Sequence, residues 1–328
     1  MSVEAQLRTL PSIRGTSAPV RTLAWFGRFA RRKPLGFASL ILVVVIASAG
    51  LVAPLAAPHH PADNRAGPRL RSYCLGPKDT FLCPTVVERS QLAGERTVEG
   101  TLSTPFGTDQ LGRDNFSRVL YGARYAMYVA LSAVALSTAI AVLVGVPAAY
   151  FGRWYDAVVQ RFVDAVMSLP VLVILLASVT LLGGASFEKL IVVLGIVGGI
   201  SGSRVIRSAA LVVVNSAYVE AARSIGASNL RIMARHVVPN VFAPIMVQAT
   251  IGIGNVILAE AALSFLGFGV IDPDRPTWGQ LLQQAQQVAS VRPDQLVWPA
   301  LALSAAVFGF NMLGDALRDL LDPRLRTG

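Results

Sequence analysis

Tyr218-Val-Glu-Ala-Ala-Arg-Ser-Ile-Gly-Ala-Ser-Asn-Leu-Arg-Ile-Met-Ala-Arg-His-Val-Val-Pro-Asn240 is a polar island between two long apolar segments. Glu220-Ala221-Ala222, with Gly226 four residues on, predicts a short helix in which two methyl-sized side chains adjoin an acidic one, so another protein's surface can approach closely. Glycine costs about 1 kcal/mol against alanine inside a helix but suits the left-handed position just past its end. Gly226 therefore stops the helix, and a two-helix elbow is the economical reading. Ser228 can cap the second helix, which is expected over 229–238, carries Arg231, Arg235 and His236, and meets the next apolar segment at Pro239. The island is basic and reads as a docking element.

Around it the chain is too apolar for a soluble domain. Of 328 residues, 53% are hydrophobic and 15% charged, and the mean hydropathy is +0.56, which makes it an integral membrane protein. The net charge of +10 does not point to nucleic acid, because the arginines are scattered between apolar runs without interleaved aromatics. They read as cytoplasmic anchors.

Uncharged or nearly uncharged runs lie at 35–58, 125–151, 165–187, 190–203, 237–259 and 295–314. About 20 residues cross the hydrocarbon, so all but the fourth are long enough alone. The fourth is expected to borrow length on its C-terminal side, with Arg204 and Arg207 snorkelling to the interface. The fold class is all-α, with six transmembrane helices and an extracytoplasmic insertion between the first two. Residues 1–34 form a basic segment that is not a signal peptide, because the apolar run 35–58 exceeds an h-region and no small-x-small site ends it. Residues 59–124 form the insertion, 125–318 a core of five helices with the elbow at about 215–240, and 319–328 a tail. With the N-terminus inside, cytoplasmic segments hold seventeen Lys and Arg and the short outer loops three, which sets both termini and the elbow in the cytoplasm.

The insertion carries both cysteines, Cys74 and Cys83, nine apart in a Pro- and Gly-punctuated stretch. On the oxidising side of a membrane such a pair is expected to form a disulfide. Metal binding with His59 and His60 is the alternative, although the spacing matches no zinc pattern, and a plain solvated insertion is the third reading. Further on, Asp109, Arg113 and Asp114 can form a local ion-pair turn, while Phe116, Val119 and Leu120 recur at helical spacing.

Three features carry a family resemblance. Glu220-Ala221-Ala222, Gly226 and the proline thirteen residues later resemble the "EAA" loop of ABC importer membrane subunits, with His236 and Val238 where the usual pattern has Ile and Leu. The stretch 104–124 resembles the "GTD-x-x-GRD … SR-x-x-YGAR" signature of dipeptide, oligopeptide and nickel permeases. Tyr150 to Asp156, Glu260 to Gly269 and Phe310 to Arg326 continue the likeness, which covers about 104–326. It implies the type I permease fold in the cytoplasmic (inner) membrane. It also implies a second homologous permease, two ATPase subunits that carry ATP and Mg, and an extracytoplasmic solute-binding protein. Coupling to the ATPases would fall to Glu220, Ala221, Ala222 and Gly226, with Arg223 and Arg231 beside them.

Glu260 sits late in the fifth span, where an unpaired charge would be costly. It either holds spans together through Asn255 or a backbone N–H, or lines the path. Asp164, and Asp315 with Arg318, read as interfacial pairs. The chain has no phosphate-binding Gly-rich loop, no His-Glu-x-x-His and no Ser/His/Asp grouping, so no catalytic residue, metal ligand or cofactor is assigned to it. Peptides are the expected substrate and nickel the alternative within the class. An ion-coupled carrier working without ATPases is the alternative outside it.

Overall fold

The computed structural model describes residues 34–64, 66–67, 69–70, 73–74, 86–90, 94–98 and 104–321. The basic stretch through Lys33, Cys83 and residues 322–328 lie outside the described residues. The architecture is helical: α1 (Pro34–Ala56), α2 (Asn115–Phe151), α3 (Arg153–Met167), α4 (Val171–Leu181), α5 (Phe187–Val214), α6 (Ala217–Ser224), α7 (Asn229–Ile232), α8 (Phe242–Phe265), α9 (Trp278–Gln287) and α10 (Val297–Leu321). An antiparallel ribbon, β1 (Val86–Ser90) with β2 (Gly94–Val98), lies in the insertion.

Capping explains several boundaries. Asp114 accepts from the backbone N–H groups of Phe116 and Ser117, which starts α2 at Asn115, ten residues before the expected start of the second span at 125. The helical half of the 104–124 stretch is thus continuous with the second span. Ser186 caps α5 through Lys189 N–H, and that helix runs on to Val214, so the fourth span gains its length on the C-terminal side as expected.

Among the described residues, five helical segments are long and apolar enough to cross a membrane: Pro34–Ala56, Asn115–Phe151, Phe187–Val214, Asn229–Phe265 and Pro293–Leu321. The sixth expected span is a broken pair, α3 and α4, bent by 82°. At 1.5 Å per residue the 11 residues of α4 cover about 16 Å, roughly half of the hydrocarbon, so α4 crosses only in combination with α3. Pro170 sits at the break, and α3 is amphipathic, with Trp154 and Phe162 exposed and Val163 fully buried.

Packing is tightest between α2 and α5. A Cβ on Gly195 would lie 2.6 Å from Leu136, one on Gly199 2.6 Å from Ile140, and one on Gly145 2.6 Å from the Ser203 carbonyl. These positions have to be glycine for the two backbones to approach this closely. Helices α8 and α10 form the next pair, and α1 covers α10 and α2, leaving Leu51 and Leu55 exposed on its outer face. The core divides in two. One cluster, around Ala130, Leu190, Leu194, Ile257, Leu263 and Phe310, fills the body of the bundle. The other, around Ile206, Val219, Ala222, Ile232, Val237 and Val241, lies under the elbow.

Candidate functional site

The polar island folds as the sequence predicts up to its second helix. α6 ends at Ser224 with Ile225 as its cap, Gly226 takes φ +79°, its N–H donates to Arg223 O at 3.0 Å, and Ala227 N–H donates to Ala222 O at 3.1 Å. This pair of bonds is a Schellman closure, which satisfies the last carbonyls of α6 and requires a residue that tolerates the left-handed region. Ser228 stands at the start of α7 with extended backbone, but its hydroxyl makes no capping bond. The expected single helix over 229–238 is instead a short α-turn, a π-turn over Met233–Val237 and a 3-10 turn over Val238–Val241 leading into α8. Pro239 supplies no N–H to the ladder, which accounts for the tightened turn around it.

Exposure separates the residues singled out on this elbow. Glu220, Ala221, Arg223, Gly226 and Arg231 face outward, together with Tyr218, Ile225 (85% exposed) and Leu230 (73%). Ala222 faces inward with Val219, packed among Ile206, Ile232 and Val237, so it seats the helix on the bundle. The elbow is gripped from α2. Tyr150 Oη donates to Asn229 Oδ1 at 2.9 Å, and the Arg223 guanidinium carbon lies 5.2 Å from the centre of the Tyr150 ring. That role of Tyr150 had no local signal, because its partners are about 70 to 80 residues away.

A cavity of about 1050 Å³ lies between α2, α5, α8 and the end of α10. It runs from Val134 and Val256, near mid-bundle, to Ser208, Asn240 and Leu321 on the side of the elbow. Its walls are mainly apolar, with Ser137, Thr138, Ser201, Gln248 and Asn255 among them, and its only charged lining side chain among the described residues is Arg318. Arg318 therefore faces this space, and no ion pair joins it to Asp315 among the described residues.

At the opposite end the 104–124 stretch is a buried ionic cluster. Asp109 Oδ2 accepts from Arg113 Nε at 2.7 Å and Arg118 Nη1 at 2.6 Å, while Oδ1 accepts the backbone N–H groups of Leu111 and Arg113. Gln284 on α9 accepts through Oε1 from Arg118 Nη2 at 2.9 Å and from Arg113 Nη2 at 3.4 Å. Gln295 donates to Thr108 O at 2.7 Å, and Trp278 Nε1 donates to Val119 O at 3.0 Å. Gly112 adopts φ +84°, and a Cβ there would lie 2.6 Å from Gly67 O. The expected Asp109–Arg113 pair is present, but Asp114 serves as the cap of α2. Sequence reasoning singled out neither Gln284 nor Arg118, which is only 1% exposed. For Arg118, its place in the quoted signature was the available signal.

Glu260 is buried and accepts from Ser264 Oγ at 2.7 Å, and Thr277 Oγ1 lies 3.4 Å from the same hydroxyl. The partner is thus Ser264, one turn on. Asn255, the partner proposed from sequence, lines the cavity instead, while Glu260 does not. Asp164 pairs with Arg204 and Asp156 with Arg207, which ties α3 to α5. Cys74 is buried beside Pro105, whose carbonyl accepts its N–H at 2.9 Å. Its expected partner Cys83 lies outside the described residues.

Comparison with known proteins places these features in context. A dipeptide transport system permease protein, DppC of Alkalihalophilus pseudofirmus, is 38% identical over 222 residues, 68% of this chain and 72% of that one. The glutathione transport system permease protein GsiD of Escherichia coli O157:H7 is 39% identical over 221 residues, 67% of this chain and 72% of that one. A putative peptide transport system permease protein of Brucella suis is 37% identical, over 68% of this chain and 74% of that one. Among solved structures, a chain of the MetNI methionine ABC transporter in inward facing conformations is similar with a TM-score of 0.47 and 18% identity, covering 60% of this chain and 94% of that one. The family profile described as binding-protein-dependent transport system inner membrane component matches residues 141–327. With that match and these identities, the chain belongs to the family of binding-protein-dependent transport system inner membrane components.

Proposed function

We propose that this chain forms one half of the passage of an ATP-driven importer of dipeptides or oligopeptides, with the elbow at 215–240 docked into an ATPase subunit. Family membership gives the coarser part: the chain is a multi-pass, non-catalytic permease subunit of an ABC importer in the inner membrane, and it works with ATPase and substrate-binding subunits. The finer part rests on one observation above others. A cavity whose described walls are neutral apart from Arg318 extends toward the same end of the bundle as an exposed elbow closed by its own backbone bonds.

The cavity chemistry favours peptides over the alternatives. Imidazole and thiolate suit nickel, and none is present among the described lining residues. An ion-coupled carrier needs titratable groups in its path, and the described walls hold no carboxylate. The names of the relatives, dipeptide, glutathione and peptide permeases, point the same way.

In this reading Glu220, Ala221, Gly226, Arg223 and Arg231 meet the ATPase, which binds ATP and Mg²⁺, and Ala222 positions them from beneath. A second, homologous permease completes the passage, and a solute-binding protein delivers substrate from outside. The excess of Lys and Arg in segments on the elbow's side supports cytoplasmic termini and elbow. Cys74 and Cys83 pair on the outer side, which a mobility shift on reduction tests. The experiment for the whole reading is co-expression with the neighbouring genes, followed by ATPase and uptake assays. Co-purification of two ATPases and a second permease, with hydrolysis stimulated by a peptide-loaded binding protein, is expected. A chain that purifies alone and moves solute on an ion gradient overturns the reading.

A further inference from the structure

Five polar side chains in the cavity have hydrogen-bonding capacity that the fold does not use. Ser137 and Thr138 on α2, Ser201 on α5, and Gln248 and Asn255 on α8 make no hydrogen bond among the described residues. Elsewhere in the bundle, Ser178, Thr180, Ser203 and Thr250 donate to carbonyls of their own helices at 2.6–3.0 Å. A polar atom closed off from water and left unpaired costs free energy, which is the position of Gln248 Oε1, while the other four side chains are half-buried or exposed and open to a partner from the cavity.

Gln248 is the most constrained of the five. Its Oε1 is enclosed without a partner, and its Nε2 rests against Gly202 so closely that any Cβ at that position would overlap it. Gly202 thus makes the pocket into which the amide folds. Gln248 and Asn255 are seven residues apart, two turns along one face of α8, or about 10.5 Å. An extended peptide advances about 3.4 Å per residue, so the two amides match backbone groups about three residues apart. A carboxamide offers both a donor and an acceptor, which is the complement of a peptide N–H and C=O.

We propose that Gln248, with Asn255 two turns above it, hydrogen-bonds the backbone of the peptide in transit and makes passage depend on the amide backbone and not on the side chains. This rests on the peptide-import reading. Ser137, Thr138 and Ser201 complete the strip from the facing helices, and the apolar remainder of the wall accommodates side chains without selecting among them.

The test uses the full complex in proteoliposomes with its binding protein and a radiolabelled tripeptide that this protein retains. Gln248→Met keeps the volume and removes the hydrogen bonds. It is expected to lower uptake about fivefold at saturating loaded binding protein, the loss of one ordinary hydrogen bond, with subunit stoichiometry and stimulated ATP hydrolysis unchanged. Gln248→Asn is expected to restore part of the uptake. Gly202→Ala, which displaces the amide without altering it, is expected to fall between Gln248→Met and wild type. The loss is expected to be equal for tripeptides with different side chains. Wild-type uptake by Gln248→Met overturns the inference and leaves the peptide reading intact, whereas a wild-type complex that imports no peptide overturns that reading itself. Loss of the second permease on purification of Gln248→Met overturns the inference in another way, by making this wall an interface between subunits.

Discussion

The two ends of the bundle differ in how their polar residues are held. At the insertion end the buried Asp109, Arg113 and Arg118 are bonded to one another and to the half-buried Gln284, and Asp109 alone accepts four hydrogen bonds. At the elbow end Glu220, Arg223 and Arg231 are exposed, and the elbow is held by a Schellman closure, by Tyr150 and by apolar packing of Val219 and Ala222. Both stretches stand out in the sequence as polar signatures, yet only one exposes its charged residues. The other uses its charges for internal architecture, joining α2 to α9. A polar signature in a membrane protein therefore marks either a contact or an anchor, and burial tells which.

Four substitutions sharpen this contrast, taken in falling order of their effect on folding. Asp109→Ala leaves two buried guanidinium groups facing each other without their carboxylate. A loss of about 3–5 kcal/mol is expected, read as a collapse of the amount of intact protein recovered from membranes. Gly226→Val forces a β-branched residue to a φ of +79° in a place where a Cβ meets no neighbour, so the cost is backbone strain alone, about 1–2 kcal/mol. Protein should insert and assemble, while uptake falls and ATP hydrolysis no longer follows the loaded binding protein. Tyr150→Phe removes the bond to Asn229 and keeps the ring under Arg223. About 1 kcal/mol is expected, seen as faster proteolysis of the elbow in the assembled complex. Glu220→Lys, on an exposed face, should change stability by less than about 0.5 kcal/mol and still uncouple transport. Normal binding-protein-driven hydrolysis and uptake in Glu220→Lys would remove the elbow from the coupling path. If Asp109→Ala accumulated like wild type, the division between anchor and contact would fail.

Much of this was legible because it is local. Helix existence, the glycine stop at Gly226, the Asp109–Arg113 pair and the C-terminal extension of the fourth span all follow from residues within a few turns of each other. What escaped involves distance or breakage. Glu260 bonds to Ser264 on its own helix, and Asn255 turns away into the cavity, a choice set by helix rotation that spacing alone leaves open. The bend at Pro170 was hidden because hydropathy sums over 165–187 without registering an 82° change of direction. Ala222 looked like part of the docking face, because a helix of eight residues has too few positions to show which side faces the bundle. Arg118 and Gln284 meet across 166 positions, which no local pattern encodes.

Helix α2 carries a member of both ends. Arg118 lies in its first turn and Tyr150 in its last, with 37 residues between Asn115 and Phe151. At 1.5 Å per residue that is about 55 Å of continuous backbone. Glycines on α5 and Gly145 bring α5 against it backbone to backbone. With that length, a tilt of only a few degrees about the insertion end would carry Tyr150 and the elbow it grips through several ångströms. Anchoring at one end and length in between are what would turn a small rotation into a long stroke at the other.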